Sequence, residues 1–180
     1  LKTNTKKMIL YALFAALTAV FSQIAVPLPF TPVPVNLATL SVLLAGGILG
    51  AKGGAVSQTV YVLIGAVGVP VFSNFTGGFA KLAGPTGGYI AGYIAAAWLV
   101  GFLTSKRKKN LPNLILSMAA GILLCYMLGT AWFMILTKNT LLQSLTLCVI
   151  PFLIGDALKI AAAGFFVWKL KDKISVSQSE

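Results

Sequence analysis

Runs of apolar residues long enough to cross a bilayer as helices fall at about 8–26, 36–50, 54–69, 86–105, 112–136 and 152–170, and proline, glycine or charge ends each one. Hydrocarbon offers a backbone no hydrogen-bond partner, so such runs satisfy their own N–H and C=O groups by coiling into helices. The pattern predicts an all-α integral membrane protein. Residues 1–180 are read as a single six-helix transmembrane domain.

An apolar fraction of 58% and a mean hydropathy of +0.92 exclude the soluble class. Fourteen basic residues against three acidic ones give a net charge of +11, which raises the question of a nucleic-acid partner. That reading needs the basic residues gathered on one solvated face. Instead Lys2, Lys6, Lys7, Lys52, Lys106, Arg107, Lys108, Lys109, Lys169, Lys171 and Lys173 stand at the ends of apolar runs, where they set topology. The reading is therefore a multi-pass protein of the cell membrane with no nucleic-acid partner. By the positive-inside bias both termini and the loops after the second and fourth runs face the cytoplasm. The other loops, with only Lys81 and Lys138, face outside.

The N-terminal stretch has the basic start and apolar body of a secretory signal. Its apolar segment is as long as a full span, however, and no small-x-small cleavage site follows, so it reads as a retained first helix. Cys125 and Cys148 lie inside apolar runs without Cys-x-x-Cys spacing and read as inert buried thiols. With no histidine and only three carboxylates, metal centres and histidine-dependent triads are nearly excluded.

The outward loops are unusual. "PLPFTPVPV" (27–35) is too rich in proline to be anything but extended and stiff. "GVPVFSNFTGGFAKLAGPTGG" (68–88) is long, apolar and nearly uncharged, unlike a disordered segment. Both are expected to be ordered caps over an outward cavity. Pro151 is expected to start the last span, with a short helix before it near the outer surface.

That span holds the one acid and the one base placed in the interior of any run, Asp156 and Lys159. Each charge costs about 2.5–3.5 kcal/mol near the bilayer centre, less towards the interface. Three residues apart on a helix, they share a face and can neutralise each other structurally or line a cavity together. A lysine suits a carboxylate, and an aspartate accepts from N–H donors. Glycines at 77, 78, 84, 87, 88 and 92 do not form a phosphate loop, since no G-x-x-x-x-G-K-[ST] is present. Close helix packing and ligand contact both stay open for them. The same holds for the small-residue pairs Ala12/Ala16 and Ala15/Ala19, which fit internal packing or docking to a second membrane protein. Asn36, Thr39 and Asn74 read as caps or ligand contacts.

"PVPVNLATLSVLLAGGILGAKGGAVSQTVYVLIGAVGVPVF", "GGFAKLAGPTGGYIAGY" and "IPFLIGDALK" together resemble the BioY family, the biotin-specific substrate-binding (S) subunits of energy-coupling factor (ECF) transporters. The resemblance covers essentially the whole chain. It implies six helices whose outer loops close over one biotin, a transmembrane coupling subunit and two cytoplasmic ATPases as partners, and no catalysis or cofactor in this chain. It puts Asp156 and Lys159 in the vitamin site and partner docking at Ala12, Ala15, Ala16 and Ala19; Asn36, Thr39, Asn74, Gly77, Gly78, Thr86 and Tyr89 are taken with the pair as the candidate biotin contacts. One departure is visible. The family commonly reads Thr-Leu-Gln-Thr where this chain has Asn36-Leu37-Ala38-Thr39. The residues alone also allow an S subunit for another small carboxylated vitamin, or a stand-alone secondary transporter using Asp156 as its proton site. The latter class carries internal repeats and broken midplane helices, which this sequence lacks. An intramembrane enzyme fits least, because no nucleophile or second carboxylate accompanies the pair.

Overall fold

The computed structural model describes the backbone of residues 2–174 and the side chains of residues 5–170. The side chains of Lys2, Lys171 and Lys173, used above to orient the termini, lie outside the described residues. The elements are α1 (Lys2–Gln23), β1 (Ala25–Leu28), β2 (Thr31–Asn36), α2 (Ala38–Ala66), α3 (Phe79–Ala83), α4 (Gly87–Lys106), α5 (Leu111–Thr137), α6 (Leu141–Cys148), a 3-10 turn (Ile150–Phe152) and α7 (Leu153–Ile174).

Five helical stretches of the described residues are long and apolar enough to cross a membrane: Thr5–Gln23, Ala38–Ala66, Gly87–Lys106, Leu111–Thr137 and Leu141–Leu170. The second and third expected runs lie in one 29-residue element, α2. A straight helix of that length would extend about 43 Å. It does not run straight. Gly50 leaves the helical region at φ 76°, ψ −176°, a conformation open to glycine because a Cβ would clash there. Beyond it the chain doubles back. Ser41 and Gln58, 17 positions apart, both hydrogen-bond Thr18 of α1, at 2.9 and 3.1 Å. A Cβ on Gly54 would lie 2.9 Å from the Gly46 Cα. Glycine at these crossings lets the two arms of α2 touch backbone to backbone.

α4 packs along both α2 and α5, α7 closes against α2 and α5, and α1 lies on α2. The side chains of Leu43, Val100, Leu114, Met118 and Val167 fill the core at the end carrying the 107–110 loop. At the other end Val42, Tyr61, Phe72, Tyr89, Tyr93 and Phe133 form a second, aromatic core.

Over that aromatic core sit the two expected caps. The proline-rich segment is extended as the sequence indicated, and it is also paired: β1 and β2 form an antiparallel hairpin with Ala25 opposite Asn36 and Leu28 opposite Thr31. The fold is thus helical with one small sheet. The prolines forbid a helix there, while alternation turns Thr31 and Val33 inward. The 67–86 segment is pinned by Phe72, 1% exposed, whose ring meets Tyr61 edge-on at 5.6 Å. A Cβ on Gly65 would fall 2.1 Å from that ring, so this glycine makes room for the anchor. α6 is the expected short helix before Pro151. Thr140 caps it by accepting from the Gln143 N–H, and the Gln143 side chain accepts from the Thr140 N–H in return.

The glycine packing carries a testable contrast. Gly101 of α4 faces the α2 turn, where a Cβ would lie 2.3 Å from the Ala51 N and the Gly50 C. Those are backbone atoms and cannot rotate away. Gly101→Ala is expected to destabilise by about 1–3 kcal/mol or more. Gly155 of α7 has open space around it. Gly155→Ala is expected to be neutral or to stabilise by up to about 1 kcal/mol, because alanine is the better helix former. Thermal unfolding in detergent ranks the two, and equal melting temperatures would contradict the packing described.

Candidate functional site

Beneath the hairpin and the 67–86 segment lies a cavity of about 700 Å³, part of it open to solvent. β2 supplies Val33, Pro34 and Asn36, α2 supplies Thr39 and Tyr61, and the loop supplies Phe72 and Ser73. α3 adds Lys81, and the start of α4 adds Thr86, Tyr89, Ile90 and Tyr93. The remaining wall comes from α5 (Ile122, Cys125, Tyr126), α6 (Cys148), the 3-10 turn (Phe152) and α7 (Asp156, Lys159). Most of this surface is aromatic or aliphatic, with polar groups at a few points.

The polar groups converge on α7. Lys159 Nζ lies 2.7 Å from Asp156 Oδ1, and both side chains are buried, at 8% and 6% exposure. Lys159 also donates to Thr39 Oγ1 at 3.1 Å. Thr39 donates to Asp156 Oδ1 at 3.3 Å, and the Tyr126 hydroxyl donates to Asp156 Oδ2. Two of the three ammonium N–H groups therefore have protein partners, which leaves one for a ligand. The carboxylate accepts two bonds at Oδ1 and one at Oδ2, which leaves one lone pair on Oδ2. A donor and an acceptor stand side by side with mutually neutralised charge.

Two further residues of the cavity lining lack such satisfaction. Thr86 Oγ1 is buried and has no hydrogen-bond partner. A buried hydroxyl left unpaired costs free energy unless something else meets it. Lys81 has no carboxylate partner among the described residues, so its charge is not neutralised as that of Lys159 is.

Of the residues singled out from sequence, Asp156, Lys159, Asn36, Thr39, Thr86 and Tyr89 all line this cavity. Their contacts differ. Asn36 is largely engaged, donating from Nδ2 to Ser73 Oγ at 2.8 Å and accepting the Ala38 N–H at 3.0 Å. The Tyr89 hydroxyl is turned to Thr130 and the Cys148 carbonyl, so its ring forms wall while its polar tip stays in the protein. Asn74, Gly77 and Gly78 are not on the cavity lining. Asn74 is exposed, with φ 62°. Gly77 permits a close approach, since a Cβ there would lie 2.4 Å from the Val69 carbonyl. Gly78 adopts φ 91° and donates to the Gly65 carbonyl at 2.7 Å. These three shape the cap. Sequence reasoning missed Tyr126, Lys81 and Ser73. Lys81 had a signal, being the single charge in an apolar loop, whereas Tyr126 sits in a long apolar run that gives none.

The alanines of α1 divide. Ala15 is buried at 3% exposure and the partly buried Ala19 packs against the aromatic core, so this pair contributes to internal packing. Ala12 and Ala16 are exposed, flanked by exposed Met8, Ile9, Leu13 and Val20. Spacing alone cannot separate the pairs, because both recur at i, i+4 on one helix.

Fold and cavity define a helical membrane protein built around a lidded chamber with a buried ion pair at one wall. The BioY family model matches residues 1–175. The chain is 37% identical over 168 residues to the probable biotin transporter BioY of Pyrococcus horikoshii, covering 93% of this chain and 98% of that protein. It is 35% identical over 166 residues to the biotin transporter BioY of Thermotoga maritima, covering 92% and 96%. Its fold matches a crystal structure of the S-component for biotin from an ECF-type ABC transporter with a TM-score of 0.88 and 26% identity, over 95% of this chain and 93% of the other. The chain belongs to the BioY family.

Proposed function

We propose that this chain is the biotin-binding S subunit of an ECF-type vitamin uptake transporter, and that the cavity under the hairpin is the biotin site. The observation that carries the reading is the Asp156–Lys159 pair, held by Thr39 and Tyr126 with one N–H and one lone pair, on Oδ2, to spare. A cyclic urea presents N–H beside C=O. The pair presents the complement, a carboxylate oxygen for the ureido N–H and an ammonium N–H for the ureido oxygen. The aromatic wall suits the bicyclic ring.

The valerate carboxylate then goes to Lys81, which differs from the assignment to Lys159 that its place as the one base inside a span favoured. A cation already in contact with a carboxylate attracts a second one weakly, whereas Lys81 carries an uncompensated charge at the cavity wall. Thr86, at the cavity wall with a buried Oγ1 that lacks a protein partner, is the candidate for a further bond to the ligand.

The doubling of α2 at Gly50 supports six crossings of the plasma membrane. The basic Lys52, Lys106–Lys109 and Lys169 lie at the end opposite the cavity, which supports an outward-facing site and cytoplasmic termini. The chain itself hydrolyses nothing, and a transmembrane coupling subunit with two cytoplasmic ATPases supplies the energy. Mass spectrometry of small molecules that co-purify with the protein tests the reading. Biotin in the extract is expected, and a different carboxylated vitamin there in its place would overturn the choice of ligand.

A further inference from the structure

Gln23, the last residue of α1, reaches 48 to 52 positions along the chain. Its Nε2 donates to the carbonyls of Val71 at 3.1 Å and Phe72 at 3.2 Å, and its Oε1 accepts the Phe75 N–H at 2.9 Å. The neighbouring Ser22, 1% exposed, adds a bond to the Val71 carbonyl. This one amide thus satisfies both faces of the 71–75 turn. The turn needs such a hold, because Asn74 and Phe75 stand at φ 62° and 54°, in the left-handed region that side chains disfavour. The same turn reaches the cavity: Phe72 and Ser73 line it, and Ser73 accepts from Asn36 on β2. Among the described residues none of α1 lines the cavity, yet α1 fixes two of its walls through this contact.

We infer that Gln23 is a positioning residue for the bound ligand: from the end of α1 it latches the 71–75 turn, and through Ser73 the Asn36 side chain, over the cavity. The inference rests on the cavity being the biotin site. Ligand leaves when the cap lifts, so weakening the latch should act on release more than on capture. In the full-length protein, Gln23→Leu removes both donor and acceptor. Gln23→Glu keeps the shape and the acceptor for the Phe75 N–H, and turns an oxygen towards the Val71 and Phe72 carbonyls. Because Gln23 is half-buried at a helix end, the glutamate variant keeps the test available if the leucine variant fails to fold.

Both variants are expected to release biotin about tenfold faster or more, as expected for losing one or two hydrogen bonds of the closed cap. Association should change less, and hydrogen exchange at residues 71–76 should rise. A lower melting temperature with parental release and parental exchange would mean that Gln23 only supports the fold, and the inference fails. Exchange needs no ligand, so the two readings can fail separately. A parent chain that binds no biotin while the variants still expose 71–76 removes the biotin site and leaves the latch standing as a property of the cap. Parental biotin binding with unchanged release in the variants removes the positioning role alone.

Discussion

Lys159→Met is expected to weaken biotin and biotin amide alike, by roughly ten- to a hundredfold, the cost of losing about 1.5–3 kcal/mol of charge-assisted contact in a dry site. The amide keeps the ureido ring and lacks the carboxylate charge. It therefore reports which end of the ligand a residue reads. Lys159 donates to Asp156 and Thr39 with one N–H remaining, and that N–H faces the ureido oxygen in the proposed pose. Removing the ammonium also leaves Asp156 buried with only Tyr126 and Thr39 as donors. Breaking a buried pair from one side is expensive, about 3–5 kcal/mol where nothing compensates. A lower melting temperature should therefore accompany the loss of affinity. Lys81→Met should behave differently. It is partly exposed and outside the ion pair, so biotin should lose roughly tenfold while the amide and the melting temperature stay near parental values. Titration of both ligands against both variants decides the assignment. If Lys159→Met spares the amide and Lys81→Met spares biotin, the carboxylate belongs at Lys159 and the pose is reversed.

Ala16→Trp is expected to abolish coupled uptake while leaving biotin binding in detergent intact. Ala12 and Ala16 form an exposed small-residue ridge on α1, where an indole would hold a partner helix several ångströms away. Ala15→Trp, one position earlier, is the control with the opposite signature. Ala15 is 3% exposed in the aromatic core, so an indole there should cost folding itself. Co-purification of the coupling subunit, radiolabelled uptake in vesicles and biotin binding separate the outcomes. Equal loss of binding in Ala16→Trp would make the ridge internal packing and remove it as a docking face.

The charges were legible in the sequence because an apolar run tolerates them only for a reason, and Asp156 and Lys159 do meet at 2.7 Å. The caps were legible as ordered for a similar cause: dense proline excludes a helix at 27–35, and an apolar loop charged only at Lys81 is unlike a disordered segment, although its short helix α3 was not foreseen. Pairing of the prolines into a hairpin was not legible, since it depends on which strand edge each proline presents. Nor was the burial of Ala15 against the exposure of Ala16, because two alanine pairs of equal spacing differ only in the neighbour they meet. Gln23 and Tyr126 escaped altogether. A lone amide or phenol at the end or middle of an apolar run carries no periodic signal, and its partner lies tens of residues away in the chain.

The central claim is that the cavity holds biotin, and a calorimetric titration of the ligand-free protein with biotin tests it most directly. The account predicts saturable binding of one biotin per chain, weakened roughly ten- to a hundredfold by Lys159→Met. Absence of saturable binding to folded parent protein, or equal affinity in the parent and the folded Lys159→Met variant, would contradict it.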